Sequence, residues 1–212
     1  MNMEKLFVSY LDKFLSLYYF HYPKDLTFSL FPYFESIKDI LIIDIQFKYP
    51  QYDKRDLLGD ALFYKLQLDT TIEAVFYYRL ERAIFLKQPN HPLLPYLANL
   101  MRMKTGIELY YSTEIGQGLN IQHGMGIIIG ARNKIGNNCI IHQGVTIGQR
   151  RLYSPHESAV IGNNVTIFAG AKIVGSISIG DNVQIGANAV LLNDAESNFT
   201  YVGIPARKLL PR

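Results

Sequence analysis

Three of the five histidines, His123, His142 and His156, fall in the second half of this 212-residue chain. Histidine suits proton transfer at neutral pH because its ordinary pKa lies near ~6.5. No Cys/His cluster has the spacing of a metal site. The single cysteine, Cys139, excludes a disulfide framework and reads as a small core-facing residue. The glycines around the histidines do not form a nucleotide fingerprint; they read as turn glycines. The chemistry in view is therefore proton transfer by an imidazole.

The element that must position these histidines is a repeat. From Ile161 an aliphatic residue returns every sixth position, through Ile167, Ile173, Ile179 and Ile185 to Leu191. The same step joins Ile115, Ile121 and Ile127, and then Ile129, Ile135, Ile141 and Ile147. A period of six fits neither an α-helix nor a meander of strands; it is the signature of short strands coiled into a parallel β-helix. Each isoleucine points inward onto its equivalents one coil away, and Gly, Asn and Asp between them supply turns that tolerate positive φ. The register breaks twice. It slips by two residues between Ile127 and Ile129, just after Gln122-His123-Gly124-Met125-Gly126. Between Ile147 and Ile161 the step is fourteen instead of twelve, and the gap holds Gln149–Glu157, expected as a loop. Insertions in a solenoid tend to collect on its binding face, and the three histidines lie at or between the two breaks.

Residues 1–105 have another texture, rich in Phe, Tyr and Leu and almost free of Gly. Helical spacing predicts a first helix through Leu6, Tyr10, Phe14 and Leu17 that ends by Pro23. Further helices are expected over 34–48, Asp56–Lys65, Thr71–Leu86 and Leu93–Lys104, with a junction near Thr105-Gly106. The aromatic content exceeds what five short helices need internally. The surplus covers either another subunit or the open end of the solenoid. The fold class is thus α+β: an α-helical domain over 1–105 serving oligomerisation and substrate, then a β-helix over 106–212 with one extended loop. A net charge of +3 without a Lys/Arg block gives no reason to expect nucleic acid. The start of the chain has no leader pattern, and the most apolar stretch, Ile37–Phe47, is too short to span a bilayer. A cytoplasmic location, without membrane attachment, is the expectation.

A helical half leading into hexapeptide coils resembles the serine acetyltransferases, and more broadly the left-handed β-helix acyltransferases. The matching stretches are Ile72–Arg79, Ile115–Gly118, His123–Gly126, Gly144–Gly148, Ala169–Gly175 and Gly203–Arg207, within roughly residues 70–207. The resemblance implies a left-handed coil and an acetyl-CoA-dependent O-acetyltransferase, with L-serine the default acceptor in a step of cysteine biosynthesis. It implies direct transfer with His123 as general base, Glu108 as its supporting carboxylate where the family has Asp, and His156 as a second active-site histidine. It places acetyl-CoA in a groove between neighbouring coils, near His142, Gly148, Ala169, Gly170, Ala171, Lys172 and Gly175, in a trimer or a dimer of trimers. No metal is implied.

The departures bear on the acceptor. The family has Asp before the base and Arg before the loop histidine; this chain has Gln122 and Pro155. Arg150 or Arg151 are candidates to replace the arginine, and Asp53 or Asp56 to supply the acidic contact. The sequence runs to Arg212, seven residues past Pro205, and docking of cysteine synthase by a long tail, as in many members of the family it resembles, is not expected. Two competing readings follow. One keeps the reaction but acetylates a sugar, a polysaccharide or another small-molecule hydroxyl. The other is a non-catalytic β-helix scaffold, against which the joint presence of Glu108, His123 and His156 argues.

Overall fold

Helix α4, Thr70–Lys87, is buried on nearly every side, and the other helices are arranged around it. In the computed structural model, which describes residues 2–151 and 157–209, α1 spans Met3–Tyr18, α2 Phe31–Lys48, α3 Asp60–Leu68 and α5 Leu94–Thr105. The boundaries have local causes. Asn2 caps α1 through the Glu4 N–H, and Asp69 caps α4 through the Thr71 and Ile72 N–H groups. Pro32 and Pro95 sit in the first turns of α2 and α5, where a missing N–H costs nothing. Gly106, at φ 69°, ends α5.

The helix expected over Asp56–Lys65 is corrected. A short 3₁₀ turn, Lys54–Leu57, comes first, and α3 starts only at Asp60, because Gly59 at φ 59° breaks the path between them. The first helix also stops at Tyr18, before Pro23 is reached.

From Glu108 the chain coils as a left-handed parallel β-helix of three sheets with five, four and six short strands. Ile161 pairs with Ile179, and Lys172 with Val190, eighteen residues apart, which is three hexads per coil. Ile121 pairs with Ile141, twenty apart, so the first coil carries the two extra residues of the His123 turn. Ile147 and Ile161 occupy successive sheets, where one hexad would suffice. The step of fourteen from one to the other exceeds six by eight. The excursion is thus larger than the two extra residues inferred from the sequence, because the intervening corner belongs to the loop. The stacked isoleucines are buried, and Asn138, Asn164 and Asn182 turn the corners at φ 55–58°.

Side chains of the helices close the open edge of the first coil. Arg79 donates to the Ile115 and Gly116 carbonyls at 2.6 Å each, and the Tyr78 hydroxyl donates to Thr113 O at 2.9 Å. Asp44 accepts from the Leu119 N–H at 2.9 Å and holds Arg79 in a buried two-pronged ion pair. A first coil has no preceding strand to satisfy these groups, and an unpaired buried one is costly. The helices also pack on the first strands, α2 and α4 on Asn120–Gln122 and α4 and α5 on Glu108–Leu109, so the helical half caps this end of the solenoid. Leu17, Phe20 and Leu68 remain exposed on the helical half.

Candidate active site

The strand Asn120–Gln122 ends in a turn that needs positive φ at three of its four residues. His123 itself stands at φ 62°, followed by Gly124 at 80° and Gly126 at 74°. A Cβ on Gly124 would lie 2.6 Å from Ile107 Cδ1 and 3.1 Å from Thr71 Cγ2. The turn is fixed by Gly126 N–H to Gly106 O at 2.9 Å below and by Gly144 N–H to Met125 O at 2.9 Å above. The His123 side chain is left exposed, and no hydrogen bond to a described residue engages its imidazole. An imidazole with both nitrogens available, on a braced backbone, is equipped to exchange a proton with a bound molecule.

His142 comes next to this turn, because Gln122 and His142 are register partners in adjacent coils. Its ring stacks on Phe168 at a centroid distance of 5.2 Å. Burial, and then the nearby His123, hold its pKa below the usual histidine range, so it favours the neutral form. Gly126, Gly144 and Gly170 form a column at the same corner: a Cβ on Gly126 would lie 3.7 Å from Gly144 Cα, and one on Gly144 would lie 3.5 Å from Gly170 Cα. The column exposes backbone without side chains, a shelf on which a slender ligand chain could lie. Ala169 and Gly170 are half-buried beside it, and Lys172 spans it with bonds to Gly144 O (2.6 Å) and Thr146 Oγ1 (3.0 Å). Ala171, expected beside the co-substrate, is corrected: its side chain points into the coil and is fully buried in the core. The buried Oε1 of Gln143 has no partner among the described residues and sits in this wall. Nothing in its sequence context singled Gln143 out.

Glu108 lies on the neighbouring sheet, tied to the same turn through its backbone: its N–H donates to Ile127 O at 2.9 Å. Its carboxylate does not bond to His123. It accepts from Arg102 at 3.2 Å instead, across the junction between α5 and the first strand. Arg102 was not among the sequence candidates; its position in the last turn of a helix ahead of an acid was the available signal. Glu108 also lines a groove of about 320 Å³ with Tyr110, Gly130, Arg132, Gly148 and Gln149.

The segment after Gly148 leads into a second groove of about 670 Å³, lined by Arg150, Arg151, Glu157, Gly175, Leu192 and Asp194. Glu157 closes the base of the loop by accepting the N–H groups of Arg150 (2.7 Å) and Arg151 (3.2 Å). The Arg150 guanidinium lies over Gly175 and donates to Leu192 O at 2.7 Å. Gly175, at φ 102°, donates its N–H to Gly148 O at 2.9 Å. Pro155 and His156 lie outside the described residues.

Gln122 donates to Asn120 Oδ1 at 2.8 Å, which leaves its own amide oxygen for a ligand. Asp53 and Asp56 form a reciprocal cap on the 3₁₀ turn: Asp53 accepts from the Arg55 N–H and Asp56 accepts from the Asp53 N–H. Both carboxylates are engaged locally, and neither hydrogen-bonds to the His123 turn. The Cys139 thiol is buried, and burial pushes it up to about 11, the behaviour of a core residue. Among the described residues no group of His, Cys, Asp or Glu is placed to hold a metal, and no helix is long and apolar enough to cross a membrane.

Coils of this period with a histidine turn at one corner define a hexapeptide-repeat transferase, and residues 158–193 match the family model described as bacterial transferase hexapeptide (six repeats). A serine acetyltransferase of Helicobacter pylori is 36% identical over 168 residues, covering 79% of this chain and 98% of that protein. One of Synechococcus elongatus is 44% identical over 126 residues, covering 59% of this chain and 52% of that protein. The chain thus spans about half the length of the cyanobacterial relative and nearly all of the Helicobacter one. Serine acetyltransferase of Neisseria gonorrhoeae shares the fold over 99% of this chain and 80% of its own, with a TM-score of 0.79 at 24% identity. A serine acetyltransferase solved in complex with CoA aligns with a TM-score of 0.76 at 26% identity, over 99% of this chain and 85% of that one. The chain belongs to the serine acetyltransferase family.

Proposed function

We propose that this protein is an acetyl-CoA-dependent serine O-acetyltransferase acting by direct transfer. The observation that carries the reading is the exposed, unbonded His123 imidazole on its braced turn beside the glycine column, in a chain of this family. His123 removes the proton from the acceptor hydroxyl as its oxygen attacks the thioester carbonyl of acetyl-CoA. The C–S bond then breaks, and the CoA sulfur leaves with the proton that His123 returns. No acyl-enzyme is needed. His142, held neutral beside it, adds no positive charge to oppose the imidazolium as it forms.

Glu108 is assigned the supporting carboxylate. It bonds to Arg102 in the free chain, and catalytic hydrogen bonds commonly tighten only once substrate is bound. The pantetheine arm of the co-substrate is assigned to the Gly126–Gly144–Gly170 shelf and the groove past Gly148 and Gly175. Because Arg150 is turned toward Leu192, Arg151 is the better candidate for the acceptor carboxylate, with Gln122 and the loop residue His156 as further contacts. The open grooves and the exposed Ile128 and Val160 on the sheet faces support a trimer of coils, and the exposed apolar residues of the helical half support pairing of trimers. The unpaired Cys139 supports a reducing, cytoplasmic location.

The neutral Gln122, bonded to Asn120, favours one alternative: the same transfer to a hydroxyl that carries no ammonium, such as that of a sugar. Release of free CoA, followed with L-serine and a panel of other amino acids and sugars, tests both. Preferred turnover of L-serine is the expected result; efficient acetylation of a sugar with inert serine would move the protein to the alternative.

A further inference from the structure

The His123 turn is braced from a direction the reaction does not explain. Lys48, the last residue of α2, reaches under the strand that precedes the turn and donates to Ile121 O at 2.7 Å. The same ammonium donates to the Thr71 hydroxyl and lies 3.7 Å from Asp69 Oδ2, with the Lys48 and Asp69 side chains only 11% and 14% exposed. Asp69 is the N-cap of α4. Its Oδ1 accepts from the Thr71 N–H (2.9 Å) and hydroxyl (2.7 Å), and its Oδ2 accepts from the Tyr49 hydroxyl (2.6 Å). Thr71 in turn presses its methyl against Gly124, the residue after His123. One cation therefore joins the end of α2, the start of α4 and the edge strand, two residues before His123 on one side and, through Thr71, one residue after it on the other.

The other side-chain bonds from α2 and α4 that close the first coil, from Asp44, Tyr78, Arg79 and Arg82, fall between Tyr111 and Leu119, before the reacting corner. Ile121 O belongs to an edge strand whose one parallel neighbour is Ile140–His142. A left-handed His at φ 62° keeps its ring direction only while both flanks are held, and a misplacement of about 1 Å at a reacting group costs roughly 10²-fold in rate. We propose that Lys48 is a positioning residue for His123, clamping the Ile121 carbonyl to the Asp69–Thr71 cap so that the imidazole is aimed at the acceptor hydroxyl. The proposal rests on His123 being the general base.

The test is a double-mutant cycle of Lys48→Met and His123→Ala on the full chain. Turnover is normalised to the number of acetyl-CoA sites counted by calorimetry, which removes any loss of folded protein. Asp69 keeps its other donors in Lys48→Met, so folding is expected to persist. Lys48→Met should lower kcat by about 10- to 100-fold with little change in KM for acetyl-CoA. In the His123→Ala background the same substitution should change the residual rate less than about two-fold, because a group acting through His123 has nothing left to act through. An equal loss in both backgrounds, or a loss confined to KM, would overturn the positioning role while leaving the base intact. Full activity of His123→Ala alone would overturn the base, and the proposal with it. Should Lys48→Met fail to fold, Thr71→Val removes the hydroxyl acceptor and keeps the methyl branch. It should give a smaller kcat loss, about 3- to 10-fold, that likewise vanishes without His123; an undiminished kcat would overturn the clamp.

Discussion

Glu73, Tyr77 and Glu81 follow one another at four-residue spacing on one face of α4, and their fates differ. Glu73 accepts from Tyr10 and pairs with Lys104. Glu81, fully buried, has no partner for either carboxyl oxygen among the described residues, and neither has the Tyr77 hydroxyl. Burial drives the Glu81 pKa well above the usual carboxylate range, with Arg102 pulling weakly the other way. The native protein therefore holds this proton while the unfolded chain, titrating near ~4.3, has released it. Stability from that proton is complete below the unfolded value and is lost as pH rises toward the native one. Glu81→Met keeps the volume and removes the unsatisfied group, which costs about 1–3 kcal/mol. For a chain of 212 residues each kcal/mol moves Tm by about 2–4 °C, so the variant should melt about 2–12 °C higher. The gap should widen between pH 6 and pH 9. Thermal unfolding at one fixed protein concentration reads this directly. A Glu81→Met protein that melts lower than the parent at both pH values would mean that Glu81 has a partner in solution, and the reasoning would fail.

His123→Ala should lower turnover by about 10²- to 10⁴-fold with acetyl-CoA affinity largely kept, and His142→Ala far less; equal, small effects in steady-state kinetics would unseat His123 as the base. Asp44→Ala should destabilise by about 3–5 kcal/mol, since it strands the buried Arg79 and the Leu119 N–H together. A denaturant midpoint unchanged from the parent would show that the first coil does not depend on this cap.

The solenoid was legible because its rule is one-dimensional. An inward isoleucine every sixth residue fixes the coil, and the departures from six mark what leaves it. The His123 turn was found that way, with its length correct, since its two extra residues stay within the coil. The loop was found but undersized, because the sequence does not reveal that Ile147 and Ile161 stand only one sheet apart. In the helical half, periodicity located the helices, while Gly59 divided one of them through a local conformation that a hydrophobic pattern does not register.

The site was less legible for a different reason. The proposed base, His123, sits on the first coil, and a first coil has an open edge that no repeat residue can close. Closure falls to Asp44, Lys48, Tyr78 and Arg79, whose partners lie 35 to 75 residues away in sequence. On a helix these residues read as ordinary polar punctuation, and only the packing turns them into acceptors and donors for a strand edge. The same holds for Arg102, which takes the Glu108 carboxylate that the family resemblance sets beside His123. The repeat thus encodes where the imidazole stands along the coil, and the helical half supplies the bonds that brace its turn. It follows that changes in α2 and α4 should alter turnover without touching a hexapeptide, and that grafting this His123 turn onto coils capped by other helices should preserve the fold and lose the rate.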